Sequence, residues 1–206
     1  MRTRLHVPST LVGFSLIGPV LGLLGFLGAP APPAGGLTPE QMDVLSHLSV
    51  EFPSDNQGGV VKTIVLEGAN LQIRNGLGAT NTVNGLGNLI VGYNEEGTLF
   101  GTGANNRTGS HNVVTGVKHN YPSYGGLVAG EGNTISGPHA TVSGGAFSLA
   151  SGRNASVSGG FFVGAQGNSA SAIGGSVNSA TGAFTTVVGG NNIVVTQAGA
   201  TGCGCP

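Results

Sequence analysis

Tryptophan is absent from this chain and charge nearly so: seven Lys or Arg and eight Asp or Glu are spread over 206 residues, for a net charge of −1. With so little positive charge, nucleic acid and anionic membrane surfaces are not expected partners. From Gly132 to Pro206 there is no Asp or Glu, and Arg153 carries the one fixed charge. Cleaving a glycosidic bond needs paired carboxylates, or a base assisted by a cation. The acids present (Glu40, Asp43, Glu51, Asp55, Glu67, Glu95, Glu96 and Glu131) are scattered, and only Glu95 and Glu96 are adjacent. An enzyme is therefore not expected. Calcium-binding solenoids take an Asp from every repeat, which this chain does not supply. His111, His119 and His139 have no thiolate or spaced carboxylate to complete a metal site, so neither metal nor cofactor is expected. Gly101-Thr102-Gly103 lacks the strand–helix context of a phosphate loop.

Cysteine is also scarce. The two residues stand together as Cys203-Gly204-Cys205. An exported chain can oxidise them. A bridge inside Cys-Gly-Cys would be strained, so the reading favours disulfides between copies, made by Cys203 and Cys205 at one end of an assembly.

What the sequence has instead is glycine, 40 residues of it, set in a strict rhythm. Thr141-Val142-Ser143-Gly144-Gly145 returns as Ser156-Val157-Ser158-Gly159-Gly160, as Ser171-Ala172-Ile173-Gly174-Gly175 and as Thr186-Val187-Val188-Gly189-Gly190. The period is 15 residues. Half a period away, Ala150, Ala165 and Ala180 are each followed two residues later by Gly152, Gly167 and Gly182. A register held this strictly argues against disorder, because only stacked repeats bring equivalent positions together. Two glycine corners per repeat leave two strands of about four or five residues each, too short for a helix between them. The fold class expected is all-β: a parallel β-solenoid, or β-roll, of 15-residue coils, with a short N-terminal helix. Gly144, Gly159 and Gly174 are expected in backbone conformations closed to other residues, and Gly189 is the equivalent repeat position. Val142, Val157, Ala172 and Val187 form one ladder, and Phe147, Phe162 and Val177 another. So thin a roll buries little apolar surface, so both ladders are expected to need a partner, most cheaply further copies of the chain.

The phrases Ala-Ser-Val-Ser-Gly-Gly (155–160), Ala-Ser-Ala-Ile-Gly-Gly (170–175) and Asn178-Ser179-Ala180-Thr181-Gly182 resemble the head repeats of trimeric autotransporter adhesins, the YadA-like head. The resemblance covers roughly Gly125–Gly190, about a third of the chain. It implies a left-handed parallel β-roll stable as a homotrimer, and an adhesive role at a cell surface. It carries over no binding residue, because the matching positions are scaffold.

Residues 1–36 have the pattern of an export signal, with Arg2 and Arg4, an uncharged apolar run over Leu11–Gly28, and a Pro/Ala-rich end. A membrane contact is expected only if this segment is retained. The rest of the chain is expected outside the cytoplasm: extracellular, at the cell surface or at the outer membrane. Residues 37–59 read as a helix and a loop. Thr38, Pro39 and Gln41 suit a capped start, and an apolar stripe runs along Leu37–Val50. That helix would either cover an open end of the solenoid or join copies. Residues 60–137 read as degenerate coils: a strand over Val60–Glu67, a hairpin-type turn at Asn75-Gly76 after Leu71–Arg74, and strands after Asn88, Asn112 and Asn133 at intervals of 24 and 21. Insertions are expected at Tyr93–Gly109 and Val117–Tyr124. Regular repeats occupy 138–192, and 193–206 form a tail.

The expected function is that of a secreted or surface structural protein, adhesin-like, its trimeric head presenting loops. The alternative is a solenoid that binds glycans or ice. Insertions in solenoids gather on one face and often bind, and Tyr93, Phe100, His111, His119, Tyr121 and Tyr124 lie in or beside them. They are the candidate contacts for a host-surface, matrix or glycan ligand.

Overall fold

The computed structural model of the protein describes residues 36–96 and 105–204, in two compact units, Met1–Ala69 and Asn70–Pro206. The segment with export-signal pattern, Phe100 and Cys205 lie outside the described residues.

In the first unit, α1 spans Pro39–Ser46. It opens on the expected capping box: Gln41 N–H donates to Thr38 Oγ1 at 3.2 Å, and Thr38 N–H donates to Gln41 Oε1 at 2.9 Å. The helix is shorter than its apolar stripe suggests. At His47 the chain turns, and β1 (Leu48–Glu51) pairs antiparallel with β2 (Thr63–Leu66), setting Leu48 opposite Leu66 and Val50 opposite Ile64. Cross-strand pairs of this kind outweigh the helical pattern. Asp55 Oδ1 closes the loop between the strands by accepting from Gln57 N–H and Gly59 N–H, both at 2.8 Å. None of the described residues in this unit is buried.

The second unit is a parallel β-solenoid of about six turns. One sheet has eight strands, in spatial order β15-β13-β11-β9-β7-β5-β4-β3; the other has five, in order β14-β12-β10-β8-β6. The first comprises β3 (Leu89–Val91), β4 (Val113–Val117), β5 (Leu127–Glu131), β7 (Thr141–Val142), β9 (Ser156–Val157), β11 (Ser171–Ile173), β13 (Thr186–Val188) and β15 (Thr201–Cys203). The second comprises β6 (Thr134–Ile135), β8 (Leu149–Ala150), β10 (Gly164–Ala165), β12 (Ser179–Ala180) and β14 (Val194–Val195). Strands of the regular coils are two or three residues long, not four or five. Corners that contain glycine and left-handed residues, together with short extended links, take up the remainder of each repeat.

The 15-residue register is that of the strand pairs: Thr141, Ser156, Ser171, Thr186 and Thr201 stand in line, as do Leu149, Gly164, Ser179 and Val194. Upstream the coil shortens to 14, with Val113 beside Leu127 and Leu127 beside Thr141. The 24-residue interval is real, since Leu89 pairs with Val113. The 21-residue interval is not a coil. Asn133-Thr134-Ile135 lies on the second sheet, half a coil beyond a 14-residue turn. Val117–Tyr124 is accordingly no insertion but the ordinary second half of that turn, where Asn120 bridges to Thr134. Leu71–Arg74 is not a strand. Asn75-Gly76 belongs instead to a cap-like segment in which Asn75 Oδ1 accepts from Leu77 N–H, and Asn75 N–H donates to His111 Nε2.

The core is made by two facing ladders of one chain. Val114, Val128, Val142, Val157, Ala172 and Val187 are buried from the first sheet, and Tyr121, Ile135, Ala150, Ala165 and Ala180 from the second. The Val ladder thus faces inward and needs no partner, contrary to the expectation drawn from its spacing. Alternation decides this: the Ser and Thr beside each Val are the outward residues. The Phe147–Phe162–Val177 ladder does lie outside the core, with Phe162 and Val177 exposed.

At the Gly-Gly corners the second glycine is constrained by the neighbouring coil as well as by its backbone angle. A Cβ on Gly145 would lie 2.2 Å from the Gly160 carbonyl oxygen, and one on Gly175 2.3 Å from that of Gly190, at φ 77° and 79°. The first glycines have open space around an added Cβ, yet Gly159, Gly174 and Gly189 do take the expected left-handed backbone, at φ 108°, 67° and 60°; Gly144 does not. Gly145→Ala is expected to cost about 1–3 kcal/mol, and Gly144→Ala within about 0.5 kcal/mol of nothing. Equal melting shifts for the two variants would place the corner wrongly.

Candidate functional site

The residues read as binding loops do not come together as one surface. Tyr121 continues the column of Ile135, Ala150 and Ala165: it is 1% exposed, and its hydroxyl donates to Asn94 Oδ1 at 3.0 Å. A side chain so placed closes the interior and cannot meet a ligand. Tyr124 is half-buried, edge-on to His139 with ring centroids 5.2 Å apart. His111 holds the cap segment, its Nδ1 3.0 Å from the Thr80 carbonyl oxygen. Tyr93 alone of the described candidates is fully accessible, at 93% exposure. Phe100 lies outside the described residues. Of the three histidines weighed as metal ligands, His111 and His139 stand two coils apart in one corner column and His119 in another, and no group of three or more His, Cys, Asp or Glu side chains converges among the described residues. Cys203 is disulfide-bonded. The sequence holds one other cysteine, Cys205.

His119 is buried, and its place explains its chemistry. It heads a corner column that continues as Asn133, Ser148, Val163 and Asn178. Asn133 Nδ2 donates to the carbonyl four residues back, Ala129, at 2.6 Å, and Asn178 Nδ2 does the same to Gly174 at 3.1 Å. Their Oδ1 atoms accept from the next coil, from Ser148 N–H at 2.7 Å and Ile193 N–H at 3.0 Å. His119 reproduces both bonds with a ring: Nε2 to the Thr115 carbonyl at 3.0 Å, and Nδ1 from Asn133 N–H at 3.2 Å. Nδ1 must stay unprotonated to accept. Burial holds the imidazole below its ordinary value of 6.5, against the opposing effect of the surrounding backbone hydrogen bonds.

Among the described residues, apolar area gathers in a concavity elsewhere. A groove of about 710 Å³ runs along the second sheet. It is lined by the corner column Phe147, Phe162, Val177 and Asn192 and by the outward sheet positions Leu149, Gly164, Ser179 and Val194. The rings of Phe161 and Phe162 meet edge to face at 4.6 Å, and those of Phe147 and Phe162 lie 5.4 Å apart. The polar groups along it are amides and hydroxyls, among them Asn120, Gln166 and Asn192; no charged side chain lines it among the described residues. Sequence reasoning noted the Phe ladder but assigned recognition to the irregular stretch. The signal for the groove was present in the 15-residue spacing of both columns.

No family model, no curated protein and no solved structure matches this chain.

The His119 geometry fixes a pH dependence. Its folded-state proton affinity is lowered, so the unfolded chain binds the proton more tightly, and stability falls as pH drops below about 6.5. His119→Asn, which supplies the bonds made by Asn133 and Asn178, should fold and should lose less stability between pH 7 and pH 5 than the parent. Parallel denaturation midpoints for the two proteins across that range would contradict this account of the corner.

Proposed function

We propose that this chain is an exported structural protein with an adhesin-like, trimeric head, in which the roll is a rigid platform. The observation that carries this reading is the first unit. It holds an α-helix and a hairpin without one buried residue among those described, while Val44, Val50, Phe52 and Ile64 are 62, 53, 60 and 70% exposed. So small a unit cannot be stable with its apolar side chains in water, and exposed apolar side chains such as the paired Val50 and Ile64 mark an assembly surface. Further copies of the same chain supply a matching surface at no cost in new sequence. The likeness of the repeats to YadA-like heads supports three copies and an adhesive role at a cell surface. The roll itself is sparsely charged and stacked coil on coil, which suits a spacer or platform. Tyr93 is the exposed aromatic through which a loop would touch a host surface or matrix protein.

Sedimentation of the full chain should give three copies at micromolar concentration. Replacing Val44 and Ile64 together by Lys should reduce it to a monomer whose roll still melts cooperatively. Val157→Asp should instead unfold the roll, since it buries a charge in the core at a cost of several kcal/mol. A parent chain that sediments as a monomer would end the trimer reading.

A further inference from the structure

We propose that Asn84 is a site of spontaneous covalent modification, a deamidation that loosens the cap segment from the end of the roll. Asn-Gly occurs twice in the chain, at Asn75-Gly76 and Asn84-Gly85, each time inside the phrase Asn-Gly-Leu-Gly. Asparagine is a thermolabile residue, and a following glycine leaves the attacking peptide nitrogen open, since no Cβ stands in the way. By sequence the two sites are equals. The fold separates them.

The difference lies in the side-chain carbonyl and in access to water. Asn84 is exposed, and its Oδ1 accepts two hydrogen bonds, from Leu86 N–H at 3.1 Å and from the Ser110 hydroxyl at 3.2 Å. Asn75 is 5% exposed, and its Oδ1 accepts from Leu77 N–H at 2.9 Å. Its Nδ2 is held twice by Thr82, at the carbonyl and at Oγ1, at 3.0 and 2.8 Å. Donors on Oδ1 polarise Cγ and stabilise the negative charge that attack places on that oxygen, and Asn84 is the better supplied. Gly85 N–H has no hydrogen-bond partner among the described residues. A Cβ built there would meet nothing nearer than the Arg107 carbonyl oxygen at 3.9 Å, so the nitrogen is uncrowded.

The step needs no co-reactant besides water and hydroxide. The Gly85 nitrogen gives its proton to hydroxide and bonds to Cγ of Asn84. The Cγ–Nδ2 bond breaks, and ammonia leaves with a proton taken back from water, closing a succinimide. Water then opens that ring at either carbonyl, giving aspartate or isoaspartate. Either product removes a bond that closes the cap. Asn84 Nδ2 donates to the Asn75 carbonyl at 2.9 Å and so ties the two phrases together. A carboxylate oxygen in its place sets acceptor against acceptor. The bonds beside it rest on the same geometry: Asn84 N–H donates to Ser110 Oγ at 3.0 Å, and Asn75 N–H to His111 Nε2 at 3.2 Å. What loosens is therefore the cover over Ser110, which is fully buried. Neither export nor assembly enters this chemistry.

The test follows both sites in the full chain held at pH 8 and 37 °C, by peptide mapping with isoaspartate detection. In the folded protein Asn84 should convert at least roughly tenfold faster than Asn75, yielding both aspartate and isoaspartate. In the same chain held unfolded in urea the two sites should convert at similar rates, because the phrase is the same. Aged protein and Asn84→Asp should both show amide exchange at Asn75 roughly tenfold faster than the fresh parent, with the strands of the regular coils protected as before. Equal rates at the two sites in the folded protein would overturn the proposal, as would an Asn84 that stays intact while the unfolded chain converts. Unchanged exchange at Asn75 in Asn84→Asp would overturn it too, since the cap would then not depend on that amide.

Discussion

Every coil of this roll must sit about 4.8 Å from the next, because its backbone amides have no other partners. From Thr141 onward the donors and acceptors are consecutive coils: Thr141 to Ala155, Ser156 to Ala170, Ser171 to Thr185 and Thr186 to Ala200, all between 2.8 and 3.0 Å. That one distance dictates what each column can contain. Where backbones face each other, as at Gly152 and Gly167, a Cβ would meet the next coil's carbonyl at 1.9 and 1.8 Å, so no side chain is possible. Where a corner leaves a backbone N–H and a carbonyl unpaired, an amide side chain of the right reach is needed, and Asn133 and Asn178 supply it. The scarcity of charge in the regular coils, where Arg153 stands alone, follows from the same constraint. A charge repeated every coil would face its own like at that spacing.

The constraint also explains which parts of the fold could be read from the residues. Thr141–Gly190 was legible because identical coils repeat identical demands, and the register seen in the letters is the register of the strands. The upstream coils were not. Asn112 and Asn133 both precede a pair of β-prone residues, yet Asn112 Oδ1 accepts from Gly126 N–H at one corner, and Asn133 serves the other. Asn meets the same need on both sides, so the phrase alone does not say which side it marks, and an interval of 21 passes for a coil. His119 was illegible for a related reason. A ring standing in for an amide carries no trace of that role until the column is aligned in space. The candidate site was legible only in part: the Phe ladder was seen, its partner column along the sheet was not.

Tyr121 shows how the interior changes along the axis. Its column runs Tyr121, Ile135, Ala150, Ala165, Ala180 and Val195, and all six are buried. Large side chains at one end and alanine in the middle mean that the space between sheets narrows where the coils become regular. Recognition residues are sought where aromatics collect outside the repeat, and that is sound reasoning for loops. Here the aromatic lies in a 14-residue coil, in line with the ladder, and fills an interior wider than the regular coils provide. Aromatic content by itself therefore does not separate a binding loop from a core that changes width.

The two left-handed corner columns offer a better discriminator. One runs His111, Gly125, His139, Asn154, Ser169, Phe184 and Gly199; the other Lys118, Gly132, Phe147, Phe162, Val177 and Asn192. In the first, the residues are largely those the backbone would choose, with Phe184 the exception. In the second, three consecutive coils depart from that choice in the same direction, toward apolar bulk, and do so beside the concave face. Stacking geometry cannot account for this, since the same corners accept Gly132 and Asn192. The core cannot account for it either, since Phe162 and Val177 remain exposed. What the apolar choice supplies is contact between rings along the corner itself, Phe147 with Phe161 and Phe162 at 5.8 and 5.4 Å and Phe161 with Phe162 at 4.6 Å, so the strain is met within the column rather than by the core.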